Sequence, residues 1–435
     1  MPLKNIINPI RQLLIVLGSL LCINTPLIAA KQDKSIEMLH WWTSGSEATA
    51  INVLKKEMID RGYHWKDSSI IGGDQQRLVL RARINAHKPP DAILIQGNIV
   101  QNYAASGLLT NLDTIALTEK WNMAIPEPLQ KIVTYQNHWM AVPINIHRSN
   151  WIWANKKIFD KLKIAPPKTF DELIFISEKI RRAGYIPLAH GGQSWQDAIL
   201  FDNAVLSVGG VNFYKQALID LNPKALNSKT MQKAFDQLKR LRGILDKDFI
   251  NREWNLATAM VIHEKAAMQI MGDWVKGEFV KAGKKANQDF LCFEYPGTQN
   301  SFLFISDLFG MLNAPHQQLE AQTTLASVLM NKKFQESFNL AKGSIPARTD
   351  INMENFDDCG KKSYSDFSQS LKLNTVQRRF DTAIPNEERV IILNIVSNFL
   401  EKGIQTPEDA VKQLQRCLSK HSSKEGFITF SYEGC

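Results

Sequence analysis

The chain has 435 residues, 44% of them hydrophobic and 22% charged, with a formal net charge of +9. That length exceeds one ordinary compact core and that composition leaves little room for long disorder, so two globular domains are expected. Its basic groups, such as Lys179-Ile180-Arg181-Arg182 and Lys239-Arg240-Leu241-Arg242, are scattered along helical stretches. A nucleic-acid surface would gather them on one face, so no nucleic-acid partner is expected.

The N-terminus stands apart. Lys4 and Arg11 precede the apolar run Leu13 to Ile23, Asn24 and Pro26 interrupt it, and Ala29-Ala30 supplies a small-residue exit. This is the pattern of a secretory signal at residues 1–30, with a run too short to span a bilayer. Cleavage after Ala30 removes two basic residues and lowers the net charge from +9 to +7. A lipoprotein reading would need Cys22 as the lipidated residue, and Leu21, where a small residue is wanted just before it, makes that the weaker case. No later stretch has the roughly eighteen apolar residues of a membrane helix, so the mature form is expected to be exported, soluble and not membrane-embedded.

Ile36 to Trp42 reads as a strand. Neighbouring side chains on a strand point to opposite faces, so at most one of Trp41 and Trp42 enters a given core. Ser44-Gly45-Ser46-Glu47 has capping-box spacing, with Glu47 reaching back to the Ser44 amide. Ala50, Ile51, Leu54, Met58 and Ile59 then mark one helical face, which Gly62 stops. A short apolar stretch at Ile70-Ile71 leads to Gly72-Gly73 and a helix from Gln75 to Ala86, ended by Pro89-Pro90. Ala92 to Ile95 is a continuous apolar run of the buried-parallel-strand type. The order β-α-β-α-β predicts a doubly wound α/β lobe.

Beyond Ile146 helical patterns dominate, near 156–163, 169–183, 195–207, 229–245 and 256–268. Phe302 to Met311 returns to strand, and the last hundred or so residues are helical again. A chain that leaves one lobe and later returns makes both lobes discontinuous and joins them by more than one strand, which permits hinge closure. Cys292, Cys359, Cys417 and Cys435 survive cleavage and form no CxxC, so zinc is not expected. An exported protein favours two disulfides; of the three connectivities, Cys292–Cys359 with Cys417–Cys435 is preferred.

Catalytic signatures are missing. Gly277 to Lys285 has five residues between its glycines where a phosphate loop has four, and no Ser or Thr follows its lysine. There is no HExxH or GxSxG, and the histidines are dispersed, so neither a metal, a cofactor nor enzymatic activity is expected. What the chain repeats is tryptophan beside turn residues and carboxylates or amides. The cases are Trp41-Trp42 with Glu47, Trp195-Gln196-Asp197, Asn251 to Asn255 around Trp254, and Gly272-Asp273-Trp274. A flat indole covers the apolar face of a pyranose, while carboxylates accept its hydroxyl protons and amides or lysine donate to its oxygens. Each of these groups also has a purely structural role open to it: Glu47 as a cap, Asp273 in a turn, and most tryptophans in the core. Trp151 and Trp153, spaced i, i+2, read as structural.

The stretches "LHWWTSGSEATAINVLKK", "PPDAILIQG", "AVPINIHRSNWIW", "IPLAHGGQSWQDA", "WNLATAMVIHEKAAMQIMGDWVKGEF" and "KGSIPAR" together resemble periplasmic extracellular solute-binding proteins of sugar ABC transporters, most closely the glucose/mannose-binding group. The resemblance runs over most of the chain to about residue 350. It implies a two-lobed α/β Venus-flytrap fold with hinge strands, a monomer that binds one monosaccharide in the cleft, and an inner-membrane permease as partner. The N-terminal lobe would comprise residues 36–146 plus about 302–350, and the C-terminal lobe 147–301 plus about 351–435. By position, Trp41 and Trp42 would meet the sugar, Glu47 and Asp307 would accept hydroxyls, Trp274 would stack from the opposite lobe, and Lys342 would donate.

Three positions depart from the family pattern: Ser46 stands for a glycine, Gln96 for a Lys or His, and Arg389 in or near the place of a ligand-binding His. These bear on which sugar is accepted, including an acidic one. A secreted glycosidase would use the same residue types, with Glu47 and Asp307 as its carboxylates.

Overall fold

The computed structural model describes residues 34–313 and 319–422; the expected export signal and Cys435, with the expected Cys417–Cys435 pairing, lie outside them. The first strand, β1 (Ser35–His40), feeds helix α1 (Gly45–Asp60), and the expected capping box is present, with Ser44 capping the Glu47 amide and Glu47 reaching back to the Ser44 amide. Ala50, Ile51, Leu54 and Met58 are buried along α1, whereas Ile59 is 49% exposed, because it falls past the edge of the apolar stripe. The next strand, β2 (His64–Ser69), precedes the Ile70-Ile71 stretch that the sequence marks. It is an edge strand paired only to β1, so a polar composition suffices and Ile71 is left exposed. Helix α2 (Gly73–Asn85) and strand β3 (Ala92–Ile95) complete the β-α-β-α-β unit, all three strands parallel.

The chain then makes β4 (Val142–Pro143), β5 (Asn145–Arg148) and β6 (Trp151–Asn155). A second α/β region follows: α3 (Phe170–Arg182), β7 (Ile186–Ala189), α4 (Ser194–Tyr214), α5 (Lys229–Arg242), α6 (Trp254–Ile262), β8 (Ala266–Ile270), α7 (Val275–Lys281) and β9 (Phe290–Glu294). The helical pattern expected to 268 stops at Ile262, and Ala266 onward is strand. A short Ala-rich apolar run fits a buried strand as well as a helix, and Glu264, in the left-handed region at φ 60°, makes the break. The basic clusters of α3 and α5 sit in their last turns, where cations complement the helix dipole.

The return passage consists of β10 (Phe302–Ile305), β11 (Leu308–Met311), α8 (Lys332–Lys342), β12 (Ile345–Pro346), α9 (Asp358–Leu373), β13 (Val376–Arg378) and α10 (Asn386–Lys402). Three larger sheets result, in the orders β2-β1-β3-β11-β4, β9-β6-β8-β7 and β12-β5-β10-β13. The molecule is two-lobed. One apolar core gathers β1, α1, β3, β11 and α8; the other gathers β6, α4, α5, β8 and α10.

The third sheet lies between them. On β10, Phe302 and Phe304 enter the first core while Leu303 and Ile305 enter the second, as the two-residue period of a strand dictates. Helix α9 spans the same junction, with Cys359 in the second core and Phe367 in the first. A disulfide joins Cys359 to Cys292 on β9, the first of the preferred pairings.

Candidate functional site

At the end of β1 the two adjacent indoles separate. Trp42 is 2% exposed and packs on Phe309 and Phe338 in the first core, with ring centroids 5.8 and 5.5 Å away. Trp41 is half-buried against the start of α2, where a Cβ on Gly73 would lie 3.7 Å from its ring. His40 fixes the local backbone: its Nδ1 accepts the Trp42 amide proton at 3.2 Å, so its Nε2–H points to Asp67, 2.7 Å away.

Glu47 has two tasks. One oxygen accepts the Thr43 and Ser44 amides, and the other faces Lys342 Nζ at 3.4 Å. The same ammonium lies 5.5 Å over the Trp42 ring, so Trp42, Glu47 and Lys342 form one unit. Lys342 comes from the last turn of α8, which Gly343 ends at φ 94°. A Cβ at Gly343 would stand 2.6 Å from the Asp273 carbonyl, so only glycine lets the lobes approach here.

Asp307 follows β10. Gln96 Nε2 donates to its Oδ1 at 2.8 Å, and Asn145 Nδ2 donates to its Oδ2 at 2.9 Å. His147 Nε2 lies 3.0 Å from Oδ2, while its Nδ1 lies 2.5 Å from Asp273 Oδ1. The ring therefore joins two carboxylates. All three residues are almost fully buried, which by itself would discharge the imidazole, but Asp273 and Asp307 override burial and raise its pKa. Burial also works against the Asp307 carboxylate, and His147, Lys342 and the Asn145 amide reverse that and hold it well below its usual range.

Asp273 is positioned from the second lobe by the loop after β8, and its Oδ2 accepts the Arg148 amide at 3.0 Å. Trp274, the next residue, meets His147 edge-on at 5.2 Å and Trp195 at 6.1 Å. Among the residues singled out in the sequence, Glu47, Gln96, Asp307, Lys342, Trp42 and Trp274 thus belong to one connected cluster. Trp41 stands beside it at the mouth of α2. Arg389, on α10, contacts Asp74 at 3.4 Å, one residue from the Gly73 that Trp41 covers. Trp254 lies in the second core, and Trp151 and Trp153 are buried there as structural residues.

Sequence reading missed Asn145 and His147, and left Asp273 open to a turn. Asn145 and His147, two residues apart in "NIHR", share one face of a strand that is buried throughout. Polar residues at that spacing inside a buried strand were the available signal.

The model of bacterial extracellular solute-binding proteins matches residues 59–305, more than half of the chain. A probable sugar-binding periplasmic protein of Brucella suis is 45% identical over 393 residues, covering 89% of this chain and 93% of the relative. The chain belongs to the bacterial extracellular solute-binding protein family. Solved solute-binding structures share its fold: a chitin oligosaccharide binding protein superposes with TM-score 0.76 at 18% identity, over 90% of this chain and 99% of that one. The bacterial solute receptor AcbH, described as preferring galactopyranose, superposes with TM-score 0.77 at 16% identity, over 90% of this chain and all of that one. These family members are binding proteins, not enzymes, so the glycosidase reading falls. Among the described residues, no helix of this solute-binding protein is long and apolar enough to cross a membrane.

Proposed function

We propose that this solute-binding protein is the periplasmic component of an ABC importer that takes one glucose- or mannose-like hexose between its lobes and presents it to an inner-membrane permease. The observation that supports the reading is the convergence of hydroxyl-binding groups from one side of the hinge with an indole from the other. Glu47, Lys342, Gln96 and Asp307 stand on one side, Trp274 on the other, and His147 links them. Trp274 and Trp41 supply flat apolar faces for the ring, and Trp42 supports the Lys342 ammonium.

The charge pattern favours a neutral sugar over an acidic one. Lys342 is paired with Glu47, His147 with Asp273 and Asp307, and Arg389 with Asp74. A ligand carboxylate would have to break one of these pairs. Closure around a hexose excludes water and strengthens each hydrogen bond, and the sugar stabilises the closed form only through its differential contacts with the two lobes.

Calorimetry against glucose, mannose, galactose and a uronic acid tests the proposal. Saturable binding of glucose or mannose in preference to the other two is expected. Binding of the uronic acid alone would overturn the neutral-hexose reading.

A further inference from the structure

The two lobes meet directly beside this cluster, through Ser46 and Glu278. Ser46 occupies the second position of α1, where a helix leaves its amide N–H without an intrahelical partner. The capping box satisfies the neighbouring amides of Ser44 and Glu47 from within the first lobe. The Ser46 amide is satisfied from the second lobe instead: Glu278 Oε1, on α7, accepts it at 2.9 Å and accepts the Ser46 hydroxyl at 2.7 Å.

The carboxylate also lies at the positive end of the α1 dipole. The backbones are close on this seam. A Cβ on Gly277 would come 2.7 Å from the Ser46 Cβ, and one on Gly45 would strike the Lys281 side chain. Ser46 itself is 1% exposed. It immediately precedes Glu47, and Glu278 lies one helical turn beyond Trp274, so this contact fixes the spacing between a carboxylate of one wall and the indole of the other.

We propose that Ser46 and Glu278 form an interlobe latch that favours the closed form before sugar arrives and sets the gap the sugar must fit. They act as positioning residues, and the effect on affinity rests on the hexose-binding reading above. In an open form both groups would return to water. The latch therefore lowers the cost of closure, and removing it makes the sugar supply that difference.

The test uses purified protein with S46A, E278A, the double variant and the conservative E278Q. Each single variant should lower Tm by about 2–4 °C. S46A should have almost no effect in the E278A background, since both act on one contact. Small-angle scattering without sugar should show a larger radius of gyration for E278A, and glucose Kd should weaken about tenfold, with E278Q intermediate. Additive Tm effects would overturn the latch. So would a lower Tm with unchanged scattering, which would make the contact merely structural. If the parent protein binds no hexose, the functional proposal fails, while the scattering and the double-variant comparison still decide the latch.

Discussion

His147 Nδ1 lies 2.5 Å from Asp273 Oδ1, and this contact ties the hinge strand β5 to the loop that carries Trp274. With Asp307 3.0 Å from the other ring nitrogen, the imidazolium neutralises charge between the lobes in a site almost closed to water. Removing one partner from such a buried cluster leaves uncompensated charge. His147→Gln is therefore expected to cost about 3–5 kcal/mol in urea unfolding.

The same cluster fixes a pH dependence. The folded pKa of His147 is raised, so its contribution is complete below the ordinary value of 6.5 and is lost as pH rises through the higher folded value. The folded pKa of Asp307 is lowered, so its contribution is complete above the ordinary value of 3.8 and is lost as pH falls through the lower folded value. Stability from the cluster should peak between those ordinary values and decline on the alkaline side. Thermal melts across pH should show this alkaline decline in the parent and a flatter profile in His147→Gln.

The adjacent tryptophans should separate into two phenotypes. Trp42 packs on Phe309 and Phe338, so Trp42→Ala should lower unfolding stability by about 3–5 kcal/mol. Trp41 is half-buried at the start of α2, so Trp41→Ala should weaken hexose binding by about 2 kcal/mol with little loss of Tm. Trp274→Ala should reduce affinity at least as strongly. Calorimetry and melting on the same samples distinguish the two; a Trp41→Ala variant with parental affinity would remove that ring from the site.

Gln96 donates the hydrogen bond to Asp307 Oδ1 at 2.8 Å. Gln96→Leu removes it and leaves a buried carboxylate oxygen less well oriented toward sugar hydroxyls. A hydrogen bond to a charged group contributes about 1.5–3 kcal/mol, so hexose Kd should rise tenfold or more. Unchanged titrations would show that Asp307 does not depend on Gln96.

The Cys292–Cys359 disulfide closes a separation of 67 residues and fixes the start of α9 to β9. Replacing both cysteines with serine should cost about 4 kcal/mol by the chain-entropy relation. Equilibrium unfolding of the double variant measures this directly, and a change under 1 kcal/mol would mean that the ion pairs around α9, Arg148–Asp366 and Lys276–Asp357, already hold it.

The sequence by itself determined what is encoded over short distances. The capping box at Ser44 and Glu47, the β-α-β-α-β opening, the buried run Ala92 to Ile95 and the return to strand at Phe302 are read from period and capping chemistry, because each depends on neighbours within a turn or a strand. Strand alternation limits the core to one of Trp41 and Trp42 without saying which, and because β1 ends at His40 the placement of both rings is set beyond the strand.

Tertiary structure decided that question through Phe309 and Phe338, residues that come near β1 only when β11 and α8 return to the first lobe. It likewise decided the partners of Asp307, the bridging role of His147 and the Ser46–Glu278 contact, which join residues up to 232 positions apart. The physical reason is that burial and electrostatics depend on what surrounds a group in space, while propensity and capping depend only on its neighbours along the chain.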